Sequence, residues 1–141
     1  MLSEIISDLG AFGGLPAFIT AIIITYGLEQ ALALKLIVAL AIAYIVTFTI
    51  RIAYFKQRPK QQKYNTILQK IDASSFPSLH SMRATILAIL LSQYLGNILI
   101  SITLAILAIG TGFSRVYSKR HYTSDVIAGI FAGILITVLI T

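Results

Sequence analysis

The sequence predicts an all-α fold, a polytopic transmembrane helix bundle of about five spans with a short interfacial helix between the second and the third. Three observations lead there. Hydrophobic residues make up 57% of the chain and charged residues 11%, about half of the ~25% Asp, Glu, Lys and Arg with which a water-soluble domain covers its surface. The apolar residues fall in uncharged blocks, Leu9 to Leu28, Leu36 to Ile50, Ala84 to Ser114 and Val126 to Thr141, at or near the ~20 residues a helix needs to cross hydrocarbon. A single long polar segment, Lys56 to Ser75, interrupts them.

The first span is expected over 9–28. Glu4 and Asp8 stand before it where a secretory signal carries basic residues, and no small-residue cleavage site follows a short apolar run, so the span reads as retained. The second covers 33–54. Ala84 to Ser114 is too long for one crossing, since 31 residues make a helix of ~46 Å against a ~30 Å core. Gln93, Tyr94, Gly96 and Asn97 supply a polar turn, which gives a third span over 78–95 and a fourth over 98–115. The fifth covers 122–141, with Gly129 and Gly133 at helix-packing spacing. In the connector, Tyr64, Ile67, Leu68 and Ile71 fall at i, i+3, i+4 and i+7 among Lys60, Lys63 and Lys70, the pattern of a helix in the headgroup plane; a solvated connector is the alternative. The chain thus reads as one membrane-embedded domain, 1–141, with an interfacial segment over 56–77.

Composition excludes several chemistries. With no cysteine, disulfides, thiolate metal sites and cysteine nucleophiles are all absent. The net charge of +6 matches anionic lipid headgroups better than nucleic acid, because a chain largely within the bilayer has little surface to wrap a polyanion. The expected partners are therefore a membrane lipid and the bilayer, with no nucleic acid. Span parity puts ten of the eleven basic residues on one face, with Lys35 opposite. The positive-inside rule would make that face cytoplasmic. Several of these cations have a second use, so the count does not decide which side the face occupies.

Three polar clusters share that face. The first is Arg51 with Arg58-Pro59; seven residues are two helical turns less ~20°, so the two guanidinium groups can share a stripe. The second is Pro77-Ser78-Leu79-His80, at a helix start whose unpaired N–H groups favour anions. The third is Ser114-Arg115, five residues, His121, three residues, Asp125. Both histidines of the chain lie in these clusters. Two imidazoles, a carboxylate and three arginines on one face make an oxyanion pocket with a nucleophile and an acid/base.

Together the clusters resemble the signature of the type 2 phosphatidic acid phosphatase superfamily, metal-independent lipid phosphatases whose pattern is Lys, six residues, Arg-Pro; Pro-Ser-Gly-His; and Ser-Arg, five residues, His, three residues, Asp. The third motif matches in full. Leu79 replaces Gly in the second, and Arg51 replaces Lys in the first. The resemblance implies that His121 attacks phosphorus to form a phosphohistidine, that Asp125 holds its ring, and that His80 protonates the leaving oxygen and then activates water. It implies further that Arg51, Arg58, Arg115, Ser78 and the Leu79 amide bind the phosphoryl oxygens, with no metal and no cofactor. Leu79 raises a specific question, because a backbone conformation reserved for glycine would be strained there.

Ser114 and Arg83 are accessory candidates. Arg83, one turn beyond Leu79, is placed to reach a second phosphate or to anchor at headgroups. Lys119 and Arg120 read as surface charge, and Tyr117 and Tyr122 as interfacial aromatics. The substrate implied is a lipid phosphate or diphosphate, a polyprenyl diphosphate first and a phosphatidate-type glycerolipid second. A binding protein without turnover and a small lipid transporter are the competing classes. Binding alone needs the arginines, but not two histidines and an aligned carboxylate.

Overall fold

A computed structural model describes residues 1–141, apart from the side chain of Leu2. Seven helices follow in order: α1 (Leu2–Ala11), α2 (Leu15–Leu28), α3 (Gln30–Ala53), α4 (Ile67–Ala73), α5 (Leu79–Leu95), α6 (Ile98–Tyr117) and α7 (Thr123–Ile140). Among the described residues there is no strand. The helix α5 is the axis of the bundle, packed against α2, α3, α6 and α7. Every residue from Ser81 to Ala88 is buried, and its apolar positions Met82, Ile86, Leu87 and Leu90 meet Phe18, Leu36, Ala39, Ala43 and Ile136 from the surrounding helices.

The outer surface is apolar: Ile45, Ile106, Phe131 and Leu139 are each more than 60% exposed. Such a surface suits hydrocarbon, not water. Three helices, α3, α6 and α7, are long and apolar enough to cross a membrane, with mean hydropathies of 2.4, 1.8 and 2.1. The α1–α2 pair qualifies as a bent fourth. The expected third span exists as α5, but at 17 residues and carrying Arg83 it is less apolar than the rest. Its neighbours, rather than lipid, solvate it.

The largest departure lies in the first span, where one helix over 9–28 is expected and α1 and α2 meet instead at 45°. The break is Phe12-Gly13-Gly14. A Cβ on Gly13 would overlap the His80 carbonyl oxygen and the Thr111 methyl group, and the Gly13 carbonyl accepts from Arg83 Nε at 2.9 Å. The chain is thus drawn onto the start of α5 at a point only glycine can occupy.

Elsewhere the boundaries follow local chemistry. Gly96 ends α5 in the left-handed conformation at φ 60°, and Asn97 Oδ1 accepts from the N–H groups of Leu99 (3.0 Å) and Ile100 (3.2 Å) to start α6, a C-cap followed by an N-cap. Gly129 and Gly133 let α7 press on α5, since a Cβ at Gly133 would stand 2.8 Å from the Met82 carbonyl oxygen. In the connector, Thr66 Oγ1 caps α4 by accepting from Gln69 N–H at 3.2 Å, so Tyr64 of the four-residue pattern precedes the helix. Ile71 turns into the bundle while Ile67 and Leu68 stay 79% and 75% exposed.

Candidate active site

The end of α3, the connector, the start of α5, the end of α6 and the start of α7 converge at one end of the bundle. Arg51 lies in the last turn of α3, where its Nη1 donates to the Ile71 carbonyl (3.3 Å) and its Nη2 to the Pro77 carbonyl (3.2 Å). Arg58 is not on the same helical stripe, because α3 ends at Ala53. The connector folds Arg58 back instead, its Nη2 donating to the Asp72 carbonyl at 2.5 Å. Both arginines are buried, at 7% and 8% exposure. Among the described residues, four buried side-chain polar atoms lack a hydrogen-bond partner: Thr47 Oγ1 and the Nε atoms of Arg51, Arg58 and Arg115. Buried donors are normally satisfied, so three open guanidinium donors gathered at one end mark a place prepared for an acceptor.

His121 sits in the turn between α6 and α7, 2% exposed. Its Nδ1 lies 2.6 Å from the Ser75 carbonyl oxygen. A carbonyl only accepts, so Nδ1 carries the proton and the Nε2 lone pair is left free. Asp125 Oδ2 stands farther off, 4.0 Å from Nδ1. The Asp125 carboxylate is spent elsewhere, accepting from Lys56 Nζ at 2.5 Å and from Tyr122 N–H at 2.9 Å. Orientation of the His121 ring therefore falls first to a backbone carbonyl, with the carboxylate behind it. Burial, helped by Arg115, Arg58 and Arg51 and opposed by the Ser75 hydrogen bond, pushes the His121 pKa down to about 3. The imidazole is neutral at pH 7.

A cavity of about 180 Å³ lies between Arg51 and His121. Tyr44, Thr47, Phe48 and Arg51 of α3 form one wall, Leu79, His80 and Arg83 of α5 the other, and His121 faces it. It extends two turns along α3 into the membrane-spanning part, and Phe48 on its wall is 44% exposed on the apolar outer surface.

The structure brings Arg51, Leu79, His80, Arg83 and His121 to this cavity. Leu79 opens α5 in helical conformation, and the sole non-glycine residue with positive φ among those described is Lys119, so the Gly-to-Leu change brings no backbone strain. As the first residue of the helix, Leu79 keeps an N–H without an intrahelical acceptor. Arg58, Arg115, Asp125, Ser78 and Ser114 do not line the cavity, and Arg58 lines a separate one with Arg120. The Ser78 N–H donates to the Asp125 carbonyl at 3.0 Å, and its hydroxyl pairs with that of Ser81 at 3.0 Å. The Ser114 hydroxyl packs against Gly10, where an added Cβ would stand 2.7 Å from it. Arg83 is no headgroup anchor: it is 3% exposed, donating to Gly13 and, at 3.0 Å, to the Tyr44 hydroxyl.

Several residues escape sequence reading. Tyr44 and Phe48 stand seven and three residues before Arg51 on α3, a helical stripe ending on a residue already singled out, and so could have been found. Lys56 and the Ser75 carbonyl carried no local signal. Lys119 and Arg120 are exposed, and Tyr117 and Tyr122 are 52% and 43% exposed.

Fold and site together define a multi-pass integral membrane protein with a cation-lined, histidine-bearing cavity at one end of its bundle. The PAP2 superfamily matches residues 32–141, and the chain belongs to that family. It is 34% identical over 93 residues to undecaprenyl-diphosphatase BcrC of Bacillus subtilis (strain 168), an alignment covering 65% of this chain and 47% of the relative. The chain thus matches about half of that protein's length. Two crystal structures share the fold, each at 21% identity over 99% of this chain. They are Aquifex aeolicus LpxE, with a TM-score of 0.82 over 84% of its chain, and the transmembrane PAP2 type phosphatidylglycerolphosphate phosphatase of Bacillus subtilis, with 0.78 over 74%.

Proposed function

We propose that the chain is a phosphohydrolase of membrane lipid phosphates that works through a phosphohistidine on His121, with a polyprenyl diphosphate as its first substrate. The observation that carries this reading is the set of three buried, unpartnered arginine Nε donors beside a neutral imidazole whose Nε2 is free. In the first step Nε2 attacks the terminal phosphorus, the bond from phosphorus to the bridging oxygen breaks, and the lipid leaves with that oxygen, protonated as needed by His80. Arg51, Arg58, Arg115 and the Leu79 N–H take the charge on the phosphoryl oxygens. In the second step His80 removes a proton from water, the water oxygen attacks phosphorus, the N–P bond breaks, and inorganic phosphate leaves.

A lipid substrate fits a cavity that opens along α3 rather than only toward water. The segment 56–77, with Ile67 and Leu68 turned outward, sits in the headgroup layer of a single domain over 1–141. The choice of polyprenyl diphosphate leans on the relative named undecaprenyl-diphosphatase; phosphatidate-type lipids come second. The deciding measurement is phosphate release in detergent from undecaprenyl diphosphate, undecaprenyl phosphate, phosphatidate and phosphatidylglycerol phosphate, with mass spectrometry of acid-quenched protein. Release fastest from undecaprenyl diphosphate with labile phosphate on His121 is expected. No release from any of the four, or phosphate on a serine, overturns the reading.

A further inference from the structure

Lys56 belongs to none of the three motifs, yet it touches both groups that flank the His121 ring. Its ammonium meets Asp125 Oδ1 at 2.5 Å and Ser124 Oγ at 3.0 Å, held over the Tyr122 ring at 4.8 Å from the centroid. Its carbonyl accepts the Ser75 N–H at 2.8 Å, and its N–H donates to Ser74 Oγ at 3.2 Å. Ser75 then offers its own carbonyl to His121 Nδ1. Lys56 does not line the cavity, so it is not placed as a substrate ligand.

We infer that Lys56 is a positioning residue for His121: its ammonium neutralises Asp125 and its backbone anchors the Ser75 peptide, so that the imidazole rests as the neutral Nδ1–H tautomer with Nε2 free. This rests on His121 being the nucleophile, as proposed above. The physical need is plain. Asp125 is 0% exposed, and a lone buried carboxylate 4.0 Å from Nδ1 would draw a proton onto the ring, raising its pKa by about 1 to 3 units. From about 3 that still leaves the ring neutral at pH 7 but protonates it below about pH 6, and an unpaired carboxylate competes with the Ser75 carbonyl for the Nδ1–H and turns Nε2 away from phosphorus. The other charged or titratable groups around the ring are Arg51 from α3, Arg58 from the connector, Asp72 from α4, His80 and Arg83 from α5 and Arg115 from α6. Arg115, Arg58 and Arg51 disfavour protonation, and Asp72 faces Arg51 and Arg58, which leaves Asp125 as the near carboxylate that Lys56 must hold in check. After phosphoryl transfer the same carboxylate lies close enough to stabilise the positive phosphohistidine ring.

The test uses the full chain in detergent, as wild type, Lys56→Met, Lys56→Gln, Lys56→Arg and the double variant Lys56→Met/Asp125→Asn. Without substrate, the His121 ring is titrated by NMR, with its signal assigned through His121→Gln. Wild type should stay neutral to below pH 5. Lys56→Met and Lys56→Gln should raise the midpoint by about 1 to 3 units, and the double variant should bring it back down. With a lipid diphosphate, Lys56→Met should lower kcat by about 10²-fold while KM changes less than about twofold, and Lys56→Arg should recover much of the loss. An unmoved His121 midpoint in both neutral variants would overturn the inference. So would a rise in KM and in the vanadate inhibition constant with kcat preserved, which would make Lys56 a phosphate ligand. The titration needs no turnover, so a failed phosphohistidine assay would count against the proposed function and leave the titration standing as a separate result.

Discussion

The two ends of the bundle are built from the same helices on opposite terms. At the end away from the cavity the connections are minimal: Glu29 alone separates α2 from α3, and Gly96-Asn97 separates α5 from α6. There the buried side chains around α5 are apolar, with Leu32, Leu36, Leu87, Leu90 and Ile136 within the core cluster. At the other end a 13-residue connector (54–66) and the 74–78 segment fold over the helix ends. Beside the apolar Ile71, Ala73, Pro77 and Val126, the buried side chains there include Arg51, Arg58, Ser74, Ser75, Ser78, Ser81, Arg83, His121 and Asp125. Packing holds one end. At the other, backbone carbonyls and one carboxylate hold cations and imidazoles that would otherwise be too costly to bury. Stability and chemistry are therefore separable by position along α5, and substitutions at the two ends should read out differently.

The sharpest break of that contrast is His121→Ala. It should lower phosphate release by at least about 10⁴-fold, as for loss of a nucleophile, while the thermal midpoint in detergent moves little, because the side chain lies in a turn and not in the apolar cluster. An unfolded variant would mean that the polar end is structural after all.

Next in size is His80→Ala, whose effect should depend on the leaving group. A lipid alkoxide needs a proton more than a phosphate leaving from a diphosphate does. Rapid-quench kinetics should show phosphoenzyme formation slowed by about 10² to 10⁴-fold for a monophosphate and by less for a diphosphate, with dephosphorylation slowed for both. Equal losses in the first step with the second untouched would make His80 a binding residue.

At the opposite end Leu90→Ala should do the reverse. Removing a side chain with 1% exposure from the packed cluster should cost about 2–5 kcal/mol of stability, measured by unfolding in detergent, with kcat within about twofold of wild type once assayed below the new midpoint. A large kcat loss in folded protein would couple the two ends.

The effect that is smallest at neutral pH, and grows only on acidification, is on the pH dependence of stability. His121 is pushed below its ordinary 6.5 to about 3 when folded, so between those values the unfolded chain binds the extra proton. Its contribution to stability is present in full above about pH 6.5 and is lost as pH falls toward 3. His121→Gln should make the fall of the unfolding midpoint over that window shallower, and an unchanged slope would show that another group carries it.

Much of this was legible in the chain alone. The uncharged blocks and the Gly96-Asn97 turn place α3, α5, α6 and α7 within a few residues of where they lie, because helix length in hydrocarbon is set by hydropathy and capping, both local properties. The three clusters could be assigned to one end for the same reason, since parity follows from span count. Arg51, Leu79, His80 and His121 do face one cavity.

What the chain alone did not reveal depends on contacts between residues distant in sequence. The break of the first span at Gly13 comes from the close approach of the His80 carbonyl and the Thr111 methyl group, 67 and 98 positions away. The capture of the Ser78 N–H by the Asp125 carbonyl and the packing of Ser114 on Gly10 depend on how α7 and α1 press on their neighbours. The ring of His121 is held by a carbonyl 46 positions earlier, and Asp125 is drawn to Lys56, 69 positions earlier. Sequence determined which segments enter the membrane and which residue types meet at one end, because burial of apolar surface is read from each segment by itself. Only tertiary structure decided which donor found which acceptor, because hydrogen bonds and ion pairs are short-ranged and directional, and their partners are chosen when the helices pack.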